Sequence, residues 1–108
     1  SNADNSILHG RNRIEVNYMQ QMDIKLLTGR YFSDNREMEK RNVIINEASA
    51  KSFGFTNEDA VGQQIFFDWQ GEKYAFTIIG VMQNYHQLSP KEKIDPIVFE
   101  LAEDSNSL

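Results

Sequence analysis

Three consecutive apolar β-formers, Val43-Ile44-Ile45, run directly into Asn46-Glu47, a stretch of small residues and then Phe53-Gly54-Phe55. Side chains along a strand alternate between faces, so an unbroken apolar run requires cover on both sides and marks a central, buried strand. Asn46 is suited to cap the helix that follows, because its side-chain oxygen can accept a backbone N–H of the first turn. Glu47 then sits where the helix dipole favours an anion. Ala48, Ser49, Ala50 and Ser52 let that helix lie close to the sheet, Phe53 ends it on the core side, and Gly54 fits the left-handed position beyond its end.

The remaining elements are read outward from this unit. Residues 4–13 are polar and loosely extended. Asn17 is placed to cap a short amphipathic helix whose Tyr18, Met19 and Met22 face the sheet. Ile24 to Phe32 reads as a strand bent at Thr28-Gly29, with Phe32 returning to the core. The connection Ser33 to Asn42 is a charged, solvated loop. Thr56 to Asp59 has capping-box spacing and opens one more helical turn. Gln64 to Trp69 and Lys73 to Met82 form a hairpin about Gln70-Gly71, with Ile65, Phe67 and Trp69 sharing a face in the first arm and Tyr74, Phe76 and Ile78 sharing one in the second. Gly80 inside the second arm signals a bulge or a close backbone approach. A long connection over 83–95 leads to a last strand with Pro96 at its start. The expected fold is α+β: a mixed, mostly antiparallel sheet of five or six short strands, with two short helices at 17–23 and 47–53 packed on it.

Size and composition limit the function classes. The 108 residues suit one small domain, with 40% hydrophobic and 11% aromatic content that fits a folded core. Ser1-Asn2-Ala3 reads as the remnant of a cleaved expression tag, leaving 4–108 as a single domain. A net charge of −5 with interleaved signs disfavours nucleic acid and anionic lipid, since no basic face is available to displace counterions. The absence of cysteine excludes disulfides and thiolate sites and fits either a reducing cytosol or a periplasm. No apolar run approaches membrane-spanning length.

Chemical constellations are weak throughout. His9 has no partner nearby in sequence. His86, in Gln83-Asn84-Tyr85-His86-Gln87-Leu88, lacks HxH or HExxH spacing, so a metal site is not expected. No GxSxG elbow activates a serine, and Ser49 and Ser52 are better explained by packing. The carboxylate pairs Glu37 with Glu39 and Glu58 with Asp59 lie in polar segments without an apolar pocket, so both pairs read as solvated. The loop at Asp34 lacks the ligand alternation and glycine of a calcium loop. Six scattered glycines encode no phosphate cradle. No catalytic, cofactor-binding or metal-binding residue is therefore assigned, no cofactor is expected, and the chain does not read as an enzyme.

The order of elements resembles the MacB-like periplasmic core domain of ABC-transporter permeases, the group that includes FtsX- and LolC/E-type proteins, in the form common in Bacteroidetes. The resemblance runs from Val16 to Leu101. It rests on Tyr18 to Phe32 with Gly29, Arg30 and Phe32, on the strand-Asn-Glu-helix unit Val43 to Phe53, on Val61-Gly62, on Gly80-Val81, on Tyr85-His86, and on Ile94 to Phe99 with Pro96. It implies scaffold rather than catalytic roles for these positions. It also implies an extracytoplasmic domain between the first two transmembrane helices of a permease, with this chain forming its β-rich lobe. Such a domain transmits ATP-driven helix motion to a periplasmic substrate or partner. The implied partners are the rest of the permease, its cytoplasmic ATPase, a second permease copy and a periplasmic adaptor or substrate. Tyr85, His86 and Leu88 form the candidate partner-contact loop. Two other readings stay open: a free-standing periplasmic peptide- or small-ligand-binding module closed by that loop, and a small hydrolase using His86 with a carboxylate.

Overall fold

The computed structural model describes residues 6–7, 11–84 and 94–102. Among them, the strands are β1 (Ser6–Ile7), β2 (Arg11–Ile14), β3 (Leu26–Gly29), β4 (Asn42–Asn46), β5 (Gln64–Trp69), β6 (Glu72–Met82) and β7 (Val98–Leu101). The helices are α1 (Tyr18–Gln21), α2 (Glu47–Ser52) and α3 (Asn57–Ala60). One mixed sheet runs in the order β1-β5-β6-β4-β7-β2, with β3 pairing β6 as well. The α+β class and the mixed sheet are those expected. The polar segment before α1 contributes β1 and β2, both on sheet edges, where backbone pairing replaces the apolar alternation that marks inner strands. No helix among the described residues is long and apolar enough to cross a membrane.

Val43, Ile44 and Ile45 are completely buried in β4, between β6 and β7. They divide between two apolar clusters. Val43 and Ile45 join Ala50 of α2, Ala60 of α3, Ile65, Phe67, Phe76, Ile78, Val81 and Val98. Ile44 joins Ile14, Met19 of α1, Ile24, Phe32, Ile79, Met82 and Phe99. The small residues of α2 and α3 thus cover one face of the sheet, while α1 and the chain around Ile24 and Phe32 cover the other.

Keeping both clusters continuous requires an irregularity in β6. Ile78 and Val81 belong to one cluster and Ile79 and Met82 to the other, which strict alternation would forbid. The register beside β4 jumps from Val43↔Ile78 to Ile44↔Gly80, so one extra residue on β6 restores the facing. At this bulge β3 comes very near. A Cβ on Gly29 would lie 2.2 Å from the Ile79 carbonyl oxygen, and one on Gly80 would lie 2.9 Å from that of Arg30. The paired glycines allow this contact, and the Arg30 N–H donates to the Ile79 oxygen at 3.0 Å.

Several local expectations hold. The β5–β6 hairpin turns on Gln70-Gly71 with Trp69 opposite Glu72, both turn residues at positive φ, as a two-residue primed turn demands. The end of α2 is closed by Gly54 N–H to Lys51 O and Phe55 N–H to Ala50 O, the paired bonds of a Schellman motif. Other expectations need correction. Asn17 precedes α1 but makes no side-chain cap, its backbone lying outside the extended region that aims a capping oxygen at the first turn. Met22 is exposed, because α1 ends at Gln21 before a second turn can bring it round to the sheet. Regular pairing of the 24–32 segment is confined to Leu26–Gly29, since the close glycine contact ends the ladder there.

Candidate functional site

Two buried polar centres organise the connections outside the sheet. The first is Asn46, fully buried at the junction of β4 and α2. Its Oδ1 accepts from the Ser49 N–H at 2.9 Å, which is the expected cap, and also from the Ile97 N–H at 3.0 Å. Its Nδ2 donates to the Asp95 carbonyl at 3.0 Å, and its own N–H donates to Ile97 O at 3.1 Å. Two residues on, the Ala48 N–H donates to Asn84 Oδ1 at 3.3 Å. The chain leaving β6 and the chain approaching β7 are therefore both fastened to the start of α2. Tyr85, His86 and Leu88, between these anchor points, lie outside the described residues, as does His9.

The second centre is Glu39, and it overturns the solvated reading of its loop. Its side chain is fully buried, whereas its neighbour Met38 is 62% exposed. Arg30 donates to both carboxylate oxygens, at 2.8 and 3.3 Å. Ser33 adds its N–H at 2.7 Å and its hydroxyl at 2.8 Å, and Asn42 Nδ2 donates at 2.8 Å. Burial alone would raise the carboxyl pKa, but the bonds from Arg30, Asn42 and Ser33 together outweigh it and hold the group at about 2. The Arg30 guanidinium is stabilised in turn by the same bond to Glu39. A carboxylate so saturated with donors is a fixed structural anion, unsuited to exchanging protons near neutral pH. Only chain closure makes this visible: Glu39 meets Arg30 nine residues away across a turn, and no periodic pattern separates it from Glu37.

The remaining candidates occupy ordinary structural roles. Ser49 is buried with its N–H on Asn46, and Ser52 Oγ donates back to Ser49 O at 2.9 Å. Thr56 caps α3 through the Asp59 N–H at 3.1 Å. Among the described residues, no group of three or more His, Cys, Asp or Glu could hold a metal. No buried side-chain nitrogen or oxygen among them lacks a hydrogen-bond partner. An open groove of about 450 Å³ lies against β2 and β7, where Tyr18 packs edge-on to Phe99 with ring centroids 5.9 Å apart. Asn12, Arg13 and Glu15 line it together with Ile14 and Ile97, a mix of polar and apolar groups.

The family model of the MacB-like periplasmic core domain matches residues 2–99. Among solved structures, the chain is similar to the extracellular domain of the noncanonic ABC-type transporter YknZ from Gram-positive bacteria, with 26% identity, a TM-score of 0.58 and coverage of 84% of this chain and 42% of that one. It is also similar in fold to the periplasmic region of MacB from Actinobacillus actinomycetemcomitans, with 20% identity, a TM-score of 0.54 and coverage of 88% and 48%. The chain thus spans less than half the length of either structure. No curated protein matches it.

Proposed function

Because this chain belongs to the MacB-like periplasmic core domain family, we propose that it is the non-catalytic extracytoplasmic part of an ABC-transporter permease. In this reading, ATP binding and hydrolysis in a cytoplasmic ATPase move the flanking transmembrane helices, and the external domain passes that movement to a periplasmic substrate or partner. The observation that carries it is the family match across nearly the whole chain. The physics of the fold agrees with it. A sheet covered on both faces, with the buried polar side chains among the described residues committed to hydrogen bonds, keeps its shape under load.

The partners proposed with this role are the rest of the permease, its ATPase, a second permease copy and a periplasmic adaptor or substrate. Tyr85, His86 and Leu88 are proposed as contact residues. Support comes from the flanking backbone, which Asn46 and Ala48 tie to α2, so that a force on this connection would reach the sheet directly. A relay needs contacts that differ between two states of the machine, since equal contacts in both could pass no work.

Deletion tests the reading. In the parent permease, removing 42–98 and bridging the gap is expected to abolish transport or partner activation while the ATPase still binds nucleotide. Full transport by the deleted protein would overturn the proposal.

A further inference from the structure

Of the three arginines in the connection between β3 and β4, Arg41 lies over the Tyr74 and Phe76 rings, while Arg30 and Arg36 reach to two other parts of the fold. Arg30 holds Glu39 with its side chain, while its N–H donates to Ile79 O at the bulge of β6. Arg36 points the other way. Its Nη1 donates to the Ala102 carbonyl, and its Nη2 lies 3.4 Å from Glu15 Oε1. Glu15 and Ala102 directly follow the paired strands β2 and β7, and the Ala102 N–H donates to Ile14 O at 2.8 Å to close that ladder. Arg36 therefore grips both strand ends at once.

The chain between the two grips is itself closed. The Glu39 N–H donates to Asn35 O at 3.1 Å, the Met38 N–H to Asn35 Oδ1 at 3.2 Å, and the Asn42 N–H to Glu39 O at 3.0 Å. Asn42 Nδ2 reaches both Met38 O and the Glu39 carboxylate. A segment whose turns are locked in this way passes a displacement on, whereas an open loop would absorb it.

We propose that residues 30–42 are a strap coupling the ends of β2 and β7 to the bulge of β6, with Arg36 gripping the strand ends and the Glu39–Arg30 pair gripping the bulge. The use of such a strap rests on the relay reading above, but its existence does not. An ordinary surface ion pair at Arg36 would stabilise its own surroundings and nothing further away.

Native-state hydrogen exchange on the 108-residue chain tests the strap, read at the amides of Ala102 and Arg30, one at each grip. Arg36→Ala is expected to speed exchange about threefold to tenfold at Arg30 as well as at Ala102, a size typical of coupled neighbours. Glu39→Gln is expected to speed Ala102 as well as Arg30. The double variant should exceed the stronger single only slightly. Should Glu39→Gln fail to fold, Ser33→Ala, which removes one donor from the same carboxylate, takes its place. Purely local effects, or rate changes that multiply independently in the double variant, would overturn the strap. That outcome is separate from the fate of the relay, which the deletion of 42–98 decides by transport.

Discussion

Asn46 and Glu39 are both buried side chains that hold distant backbone in place, yet they do so with different physics. Asn46 is neutral, and it trades donors and acceptors with the main chain of α2 and of residues 95–97. Glu39 is an anion gathered by donors from Arg30, Ser33 and Asn42. The neutral centre works at any pH and is costly mainly through the partners it leaves unpaired when lost. The charged centre draws its strength from ionisation, so its contribution varies with pH.

The sharpest break in this comparison is Glu39→Ala. Removing the carboxylate leaves five donor groups without it, and a loss of about 3–5 kcal/mol is expected, toward the lower end because Arg30 can turn to water. Urea unfolding at neutral pH measures it. Asn46→Ala follows, at about 2–3 kcal/mol: about 1 for the helix cap and a similar amount for each of the Ile97 N–H and Asp95 carbonyl groups left without a partner. A loss near 1 kcal/mol would mean that the cap alone matters.

Acid then separates the two centres. The Glu39 carboxyl is held at about 2, below its ordinary 4.5, so the folded chain binds fewer protons than the unfolded chain between these values. The stability it contributes is complete above pH 4.5 and is lost as pH falls toward 2. The gap between the native chain and Glu39→Gln should therefore narrow by about 2 kcal/mol on going to pH 3. The gap for Asn46→Ala should stay constant over the same range. Smaller effects come from the two other capping positions. Thr56→Ala should cost about 1 kcal/mol by freeing the Asp59 N–H. Asn17→Ala should change the melting curve by less than about 0.5 kcal/mol, since that side chain caps nothing.

These two regions also mark what the sequence reveals. The strand, the cap and the helix of residues 43–55 are local: each choice of residue acts on neighbours within a few positions, and Val43 to Ile45 state their burial by composition alone. Gly80 likewise announces an irregularity, because glycine in an apolar strand is otherwise a loss. The second half of the Asn46 centre is different, as its partners at 95–97 arrive from about fifty residues away. Glu39 is harder still. Its loop is charged, its neighbour Met38 is exposed, and nothing in the order of residues distinguishes an inward carboxylate from an outward one until β3 and β4 have been placed. Arg30 stands out through the family resemblance, but Arg36 carries no such signal.

The central proposal is that this domain relays the movement of the transmembrane helices as one rigid body. The direct measurement is of distances between spin labels in the full permease, with and without ATP. Met38→Cys and Val61→Cys place labels at two exposed positions, and the chain contributes no native cysteine. A third label sits on a transmembrane helix. The Met38–Val61 distance should stay unchanged while the distances from both labels to the transmembrane label shift when nucleotide binds. An immobile domain, or a change confined to the Met38–Val61 distance, would contradict the proposal.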